Sequence, residues 1–264
     1  MKNKFAIGVT IAALTGFASS FSLAAGDGVK VGDIVKLGDG PGNNGGGAFN
    51  ASVFGPTGTG PVKGSFQTFC LEFNEYFSGY SSPLRVNAIS TGAVNGGISG
   101  QTSSNLDPIS NSTAFLYTQF RDNTNPLGYL NTVNHGTALQ LAFWVLENEI
   151  AHNSSSLNST PRASTAQQLY LNYFQADGTA TAIASLTGNM KLIADQAEYW
   201  IDLAQDTTWA TNYIGNVRVM NLVNLDGSNS QDQLTMVPEP ETYAMMLAGL
   251  GLIGFMARRR RKLV

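Results

Sequence analysis

Residues 137–150 read TALQLAFWVLENEI and carry the clearest helical pattern of the chain. Its apolar residues recur at the spacing of one helix face, which predicts an amphipathic α-helix packed on a core. The stripe consists of Leu139, Phe143, Leu146 and Ile150. A polar residue, Gln140, lies beside the stripe in the predicted first turn. A polar side chain there needs a hydrogen-bond partner or solvent, so Gln140 is a candidate functional residue.

The segments on either side of this helix predict a mixed fold. Alternating apolar and β-branched residues predict strands before it, at 29–37, 48–54, 65–73 and 80–89, and after it, at 217–225 and 233–237. Helical spacing predicts three more helices, at 112–121, 165–174 and 191–204. Glycine-rich stretches at 38–47 and 92–105 are typical of flexible loops. Strands, then helices, then strands predict the α+β class.

The charges of the 264-residue chain are segregated, although its formal net charge is only −3. Residues 1–24 carry two lysines and no acid, and the tail from residue 238 carries five basic and two acidic residues. The region between them holds eight basic and sixteen acidic residues. Phosphate backbones repel such an acidic body, which argues against nucleic-acid binding. Two histidines and one cysteine exclude a Cys/His zinc cluster and an internal disulfide, and we predict no metal site and no cofactor.

The first 24 residues have the three parts of a secretory signal peptide. Lys2 and Lys4 give a basic start, an apolar run covers residues 5–14, and small residues precede Ala24. This order is that of a cleavable export signal rather than of a buried N-terminal helix. We therefore predict cleavage after Ala24 and an extracellular body from about residue 25 to residue 236.

The last 28 residues, 237–264, form a second signal. The motif Pro238, Glu239 and Pro240 is followed by an apolar run at 243–257 and by four arginines: Arg258, Arg259, Arg260 and Arg261. Fifteen helical residues span only about 22 Å, short of the roughly 30 Å hydrocarbon core of a bilayer. The pattern predicts a short apolar helix that holds the chain in the inner membrane transiently, with the basic end in the cytoplasm.

This tripartite tail resembles the PEP-CTERM sorting signal of Gram-negative bacteria. The resemblance rests on the Pro-Glu-Pro motif, the glycine-studded apolar span and the terminal arginines, in that order. It implies recognition by an exosortase-type membrane protease, removal of the tail, and export to the cell surface or extracellular matrix.

The lone cysteine, Cys70, lies in the apolar segment FQTFCLEF at residues 66–73. A single thiol in an oxidising compartment is exposed to oxidation unless it is buried or already bonded. A cysteine can attack a glutamine carboxamide, expel ammonia and leave an internal thioester, provided that the two groups are held together and water is excluded. Gln140 is the candidate partner, and free N–H groups of the first helical turn would polarise its carbonyl.

The segments around Cys70 and Gln140 resemble the thioester domains of bacterial surface adhesins. Over residues 60–205, Cys70 matches the thioester cysteine, Gln140 its acyl partner, and Ala142 and Trp144 the helix pattern. Leu139 and Phe143 depart from the family's threonine and isoleucine. The resemblance implies a β-rich subdomain with an inserted helical bundle. It also implies covalent capture of an amine, with surface amines or matrix polysaccharide as partners.

Two other functions stay open beside this adhesive one. The chain can be a purely structural matrix protein, with Cys70 buried and Gln140 solvated or at the start of a helix. It can also be a secreted thiol hydrolase in which His135 or His152 serves Cys70 as a base. Because no hydrolase signature surrounds Cys70, we predict a protein that is not an enzyme. If the thioester forms, His135 is the candidate proton shuttle.

The remaining polar residues are predicted to lie on the solvated surface. Glu72 and Glu75 follow Cys70, and Glu147 and Glu149 follow the Gln140 helix; the spacing predicts a solvated acidic face rather than a glycosidase pair. The loop at 226–232 has alternating oxygen-bearing side chains but no closing glutamate. It is therefore predicted to be a β-turn rather than a calcium loop.

Overall fold

A computed structural model describes residues 27–43, 46–73, 75, 79–94, 105–149, 187–206, 214–238 and 248–251. The predicted signal peptide at 1–24, the predicted helix at 165–174 and most of the sorting tail lie outside the described residues. No helix in the described ranges has both the length and the apolar character that crossing a bilayer requires, so the predicted transmembrane helix finds no support there.

Six antiparallel strands form the main sheet, and two short strands form a second one. The main sheet has the order β3-β2-β1-β4-β7-β8, and β5 pairs with β6. The strands are β1 Ile34–Asn43, β2 Gly46–Phe54, β3 Gly64–Thr68, β4 Pro83–Ser90, β5 Gly92–Val94, β6 Leu106–Pro108, β7 Val217–Asn224 and β8 Gln233–Met236. The predicted strand at 65–73 is shorter than expected, because pairing with β2 ends at Thr68.

The main sheet is nearly closed, because the chain just after β3 meets β8. Leu234 N–H donates to the carbonyl of Phe69 at 3.2 Å, and Leu71 N–H donates to the carbonyl of Asp232 at 3.2 Å. Between these two bonds, Cys70 forms an antiparallel bridge with Gln233. We call this junction the seam. It brings residues more than 160 positions apart in sequence into contact, with the lone cysteine at its centre.

Three described helices lie between β6 and β7 in sequence: α1 Asn111–Arg121, α2 Val133–Leu146 and α3 Gly188–Gln205. The α+β class is therefore observed, whereas an inserted helical bundle stays a prediction. Helix α2 packs against β1, β2 and α3, and every residue from Gly136 to Leu146 is buried. The predicted amphipathic helix at 137–150 is thus a central helix that is covered on all sides. It begins earlier than expected because Thr132 caps it, accepting a hydrogen bond from His135 N–H.

The glycine-rich stretch predicted to be a flexible loop at 38–47 instead extends the hairpin of β1 and β2. The glycines allow close backbone contacts. A Cβ atom on Gly40 would lie 2.3 Å from the carbonyl oxygen of Ala48, and one on Gly136 of α2 would lie 1.8 Å from that of Pro41. The absent side chains therefore let the hairpin close and let α2 approach it, so the loop prediction was wrong.

Aromatic side chains fill the space between the sheet and α2. The ring of Phe69, next to Cys70, packs against Phe143 of α2 at 5.0 Å and against Phe120 of α1 at 5.1 Å. Phe73 meets Trp144 edge-on at 5.0 Å. Phe69 and Phe143 are completely buried. The same core that holds α2 on the sheet therefore encloses the cysteine segment.

Candidate functional site

The seam brings the predicted pair together. Gln140 reaches from α2 to the backbone of Cys70 and makes two hydrogen bonds with it. Cys70 N–H donates to Gln140 Oε1 at 3.0 Å, and Gln140 Nε2 donates to the carbonyl of Cys70 at 2.8 Å. Residues 70 positions apart are therefore joined through a reciprocal pair of bonds, which fixes the orientation of the carboxamide.

Antiparallel geometry explains why Cys70 has free backbone groups to offer. Its neighbours Phe69 and Leu71 bond to Leu234 and Asp232, on either side of Gln233, so Cys70 faces Gln233 as a non-hydrogen-bonded pair. The N–H and carbonyl of such a residue point away from the paired strand. Gln140 fills the place that a further strand would occupy, and this satisfies two buried backbone groups.

The pair is dry. Cys70 is 3% exposed and Gln140 is fully buried. Burial raises the pKa of the Cys70 thiol far above its ordinary value, and a hydrogen bond from Gln233 opposes that rise. Gln233 Nε2 donates to Cys70 Sγ at 3.2 Å. The thiol is therefore protonated and inert toward bulk solvent at neutral pH, while one donor stands ready for a developing thiolate.

The sequence predicted that Gln140 lies in the first helical turn, but the structure places it further along the helix. Helix α2 starts at Val133, so Gln140 is its eighth residue and free N–H groups at the helix start are two turns away. The group that polarises the carboxamide is instead the backbone N–H of Cys70. The expected donor was wrong because the position of the N-cap, Thr132, was missed.

Gln233 is the site residue that sequence reasoning missed. It lies in β8, is fully buried, and its Oε1 receives no hydrogen bond from the part of the chain that the structure describes. The stretch QLTM at 233–236 reads as an ordinary short strand. Its register against Cys70 exists only once the sheet closes, so no local pattern reveals it.

His135 lies in the first turn of α2, where its Nδ1 accepts a hydrogen bond from Leu130 N–H at 3.0 Å. Its ring packs edge-on against Trp200 at 5.4 Å and against Tyr129 at 6.0 Å, and partial burial lowers its pKa. Gln140 is five residues further along, about 140° around the helix. The contacts of His135 thus lie on another face of α2, and its role as a proton shuttle stays a prediction. His152 lies outside the described residues.

The sequence prediction of a solvated acidic face was wrong. Glu72, Glu147 and Glu149 are 2%, 7% and 1% exposed. Glu147 Oε1 accepts a hydrogen bond from Ser110 N–H at 3.0 Å, and Glu149 Oε2 accepts one from Phe73 N–H at 3.0 Å. The helix ends at Leu146, so both glutamates turn inward to bind backbone groups of other segments.

These carboxylates repel one another. Burial raises the pKa of Glu72 to about 9, with further increases from the charges of Glu149, Asp107, Glu75 and Asp232. Burial likewise raises the pKa of Glu75 to about 8 and that of Glu147 to about 7. Carboxylate oxygens of Glu72, Asp107 and Glu149 lie within 4.8 Å of one another. We call these three residues the acidic cluster, and they are the described residues best arranged to hold a cation.

The loop at 226–232 forms a turn between β7 and β8, as predicted. Asp226 Oδ1 accepts hydrogen bonds from both the N–H and the hydroxyl of Ser228. Asp232 points the other way, into the protein, and accepts from Leu222 N–H and Val94 N–H. The two aspartates therefore serve different partners and do not form one calcium loop.

Comparisons with known proteins bear first on the C-terminal tail. A family model described as the PEP-CTERM protein-sorting motif matches residues 237–261, which confirms the predicted sorting signal. The comparison with curated proteins gives no match.

Two solved structures from Streptococcus pyogenes are similar to this chain. One is the N-terminal thioester domain of the fibronectin-binding protein SfbI, with 15% identity, a TM-score of 0.42, and 80% of this chain and 95% of that one covered. The other is the N-terminal domain of the pilus tip adhesin Cpa, with 13% identity, a TM-score of 0.42, and 81% and 97% covered.

Proposed function

We propose that this chain is an exported surface or matrix protein that attaches covalently to amines through a Cys70–Gln140 thioester. The sorting motif at 237–261 implies exosortase-dependent export and processing at the membrane. Within this proposal the body at 25–236 is the attached domain, delivered to the cell surface or extracellular matrix. The observation that carries the covalent part is the reciprocal pair of hydrogen bonds between the Gln140 carboxamide and the Cys70 backbone.

Bond formation follows from these contacts. The sulfur of Cys70 attacks the carboxamide carbon of Gln140, the C–N bond breaks, and a C–S bond forms. The thiol proton leaves with the nitrogen, so the by-product is ammonia. Cys70 N–H already donates to Oε1, where negative charge develops in the tetrahedral intermediate. Gln233 donates to Sγ and favours the thiolate that must form.

The thioester then acts as a stored acyl group. An amine, such as a lysine side chain or a polyamine, attacks the acyl carbon of residue 140, which forms an amide and returns the free thiol of Cys70. Burial protects the stored bond, because both partners lie behind the aromatic packing of Phe69 and Phe143. The reaction occurs once per chain, which suits attachment rather than turnover.

Intact-mass spectrometry of the purified protein tests the covalent proposal. A thioester lowers the mass by about 17 Da, the mass of the expelled ammonia, and blocks alkylation of Cys70 until an amine is added. Gln140→Ala should restore the full mass calculated for the variant and an alkylatable thiol under denaturing conditions. Gln67→Ala, which changes a glutamine outside the pair, should keep the 17 Da loss. A wild-type chain of full mass with a freely alkylated Cys70 would contradict the proposal.

The second candidate is a structural matrix protein with no reactive bond. It is favoured by the hydrogen bonds that both polar side-chain atoms of Gln140 make as an ordinary amide, which account for its burial without any chemistry. A thiol hydrolase has less support, because Cys70 is buried and the contacts of His135 lie on another face of α2. Slow ester hydrolysis that disappears in Cys70→Ala would favour the hydrolase.

A further inference from the structure

The acidic cluster assembles carboxylates from three distant parts of the chain. Glu72 follows the seam, Asp107 lies in β6, and Glu149 follows α2. One carboxylate oxygen of each lies within 4.8 Å of those of the other two. The three residues are only 2%, 7% and 1% exposed, respectively. Three acids this close in a protein interior need compensation, because burying unpaired charge is costly.

Two oxygens of the acidic cluster have no hydrogen-bond partner among the described residues. Glu72 Oε2 and Asp107 Oδ2 are buried and accept no hydrogen bond from any residue that the structure describes. A buried acceptor left unsatisfied destabilises the fold, and more so if it is charged. Each of these two side chains places a carboxylate oxygen within 4.8 Å of those of the other two residues, so both are aimed into the cluster. The two unpartnered oxygens indicate that a cation belongs between the three carboxylates.

No basic side chain of the described residues fills that role. The ion pairs in the described part of the chain lie elsewhere, at Lys63–Asp33, Arg121–Asp27 and Lys191–Asp195. The charged groups that act on Glu72 are all acids: Glu149, Asp107, Glu75 and Asp232. The described residues therefore supply no positive charge to the acidic cluster.

We propose that the acidic cluster of Glu72, Asp107 and Glu149 binds a calcium ion. The donors are all oxygen, which suits a hard cation and not zinc. Calcium–oxygen bonds of about 2.3–2.6 Å place opposite ligands about 5 Å apart, so three oxygens within 4.8 Å fit around one ion. Magnesium, with bonds of about 2.0–2.1 Å, needs opposite ligands about 4 Å apart in strict octahedral geometry. This revises the expectation from composition that the chain has no metal site.

The ion would connect the two halves of the candidate site. Glu72 is two residues beyond Cys70, and Glu149 follows the helix that carries Gln140. Glu149 already accepts a hydrogen bond from Phe73 N–H at 3.0 Å, which brings these two segments together. Calcium would neutralise the repulsion at this junction and fix the segment after Cys70 against the end of α2. The calcium proposal does not depend on the thioester.

Calcium titration of the chelator-treated protein tests the proposal. Calorimetry should show one calcium ion per chain, with a dissociation constant of about 10⁻⁴–10⁻³ M, as in other extracellular calcium modules. At about 10 mM calcium the melting temperature should rise by roughly 4 °C or more, and excess chelator should reverse the rise. The absence of binding and of any change in melting temperature would overturn the proposal, as would tighter binding of magnesium than of calcium.

Two matched substitutions locate the ion. Asp107→Asn removes a ligand charge and should weaken calcium binding at least tenfold, whereas Asp226→Asn, in the exposed β7–β8 turn, should leave it unchanged. Loss of binding in Asp226→Asn instead would overturn the assignment. If Asp107→Asn fails to give the near-ultraviolet circular dichroism of the folded chain, Glu72→Gln replaces it. Repeating the titration on Cys70→Ala separates the two proposals, since this variant cannot form a thioester but should bind calcium normally.

Discussion

At the scale of single residues, the arrangement around Cys70 depends on the side chain of Gln140, which makes the hydrogen bonds that a backbone amide would make. Gln140 offers an amide oxygen and an amide nitrogen to Cys70 in the same way that a neighbouring strand would. The side chain of Gln233 also contacts Cys70, but it donates to the sulfur and not to the backbone. The two glutamines are equally buried, yet they satisfy different groups, and this difference gives a prediction.

In a Cys70→Ala background, which removes any thioester, Gln140→Met should lower the free energy of unfolding by about 2–4 kcal/mol. The substitution keeps the volume of the side chain but leaves a buried N–H and a buried carbonyl of residue 70 without partners. Gln233→Met should change the free energy of unfolding by less than about 1 kcal/mol, because it removes only the side chain's own polar atoms. Urea denaturation followed by circular dichroism measures both. Equal losses would show that Gln140 has no special structural role.

At the scale of elements, the position of α2 on the β1–β2 hairpin depends on a glycine contact. Gly136 in α2 faces the carbonyl of Pro41, and any Cβ there would lie 1.8 Å from that oxygen. The sequence did predict the helix and both strands, because their apolar periodicity is local. It did not predict the hairpin's glycines as strand residues, because the need for them arises only where helix and hairpin backbones meet.

Gly136→Ala should destabilise the protein by about 3 kcal/mol or more, although alanine is the better helix former by about 1 kcal/mol. The added methyl group must push α2 away from the hairpin, and α2 carries Gln140. Gly55→Ala, where a Cβ would meet nothing within 4 Å, is the control and should be nearly neutral. Thermal unfolding measures both, and an equal melting temperature for the two variants would contradict the proposed close contact.

At the scale of the whole molecule, the start of the described chain is fixed to its last strand. Asp27 N–H donates to the carbonyl of Met236 at 2.9 Å, and Met236 N–H donates back to Asp27 Oδ2 at 2.8 Å. The same carboxylate binds Arg121 of α1, with Nη2 2.6 Å from Oδ1. We call these contacts of Asp27 the N-terminal anchor. The predicted cleavage after Ala24 would leave the anchor intact.

Asp27→Asn should therefore lower the free energy of unfolding by about 3–5 kcal/mol, because it leaves the largely buried guanidinium of Arg121 without its charged partner. Asp195→Asn breaks the exposed pair of Lys191 and Asp195 and should cost less than about 1 kcal/mol. Urea denaturation of the two variants at neutral pH gives the comparison. A small effect for Asp27→Asn would show that the anchor contributes little to stability.

Features that are visible within one segment could be predicted from the sequence, whereas features that depend on the tertiary fold could not. Gln140 and Cys70 were found because each is unusual in its own segment, one a polar residue beside an apolar stripe and the other a lone thiol among aromatics. The burial of Glu72, Glu147 and Glu149 was missed, because charged residues are normally solvated and only the tertiary fold shows that their segments converge. Gln233 was missed for the same reason, since its partner lies across a closed sheet.

The position of β8 has a mechanical consequence. The sorting tail begins at Val237, immediately after β8, and Val237 N–H is bonded to the carbonyl of Asn216 at 2.9 Å. A pull applied to the C-terminal end of the body therefore enters the fold along β8, the strand that also bridges Cys70. The hydrogen bonds between β8 and β7 are perpendicular to the strand and therefore to the pull. A force along β8 thus loads these bonds together, in shear, instead of breaking them one at a time. A bond formed at Gln140 would thus lie close to the strand that receives the pull, because Gln140 contacts Cys70 and Cys70 bridges β8.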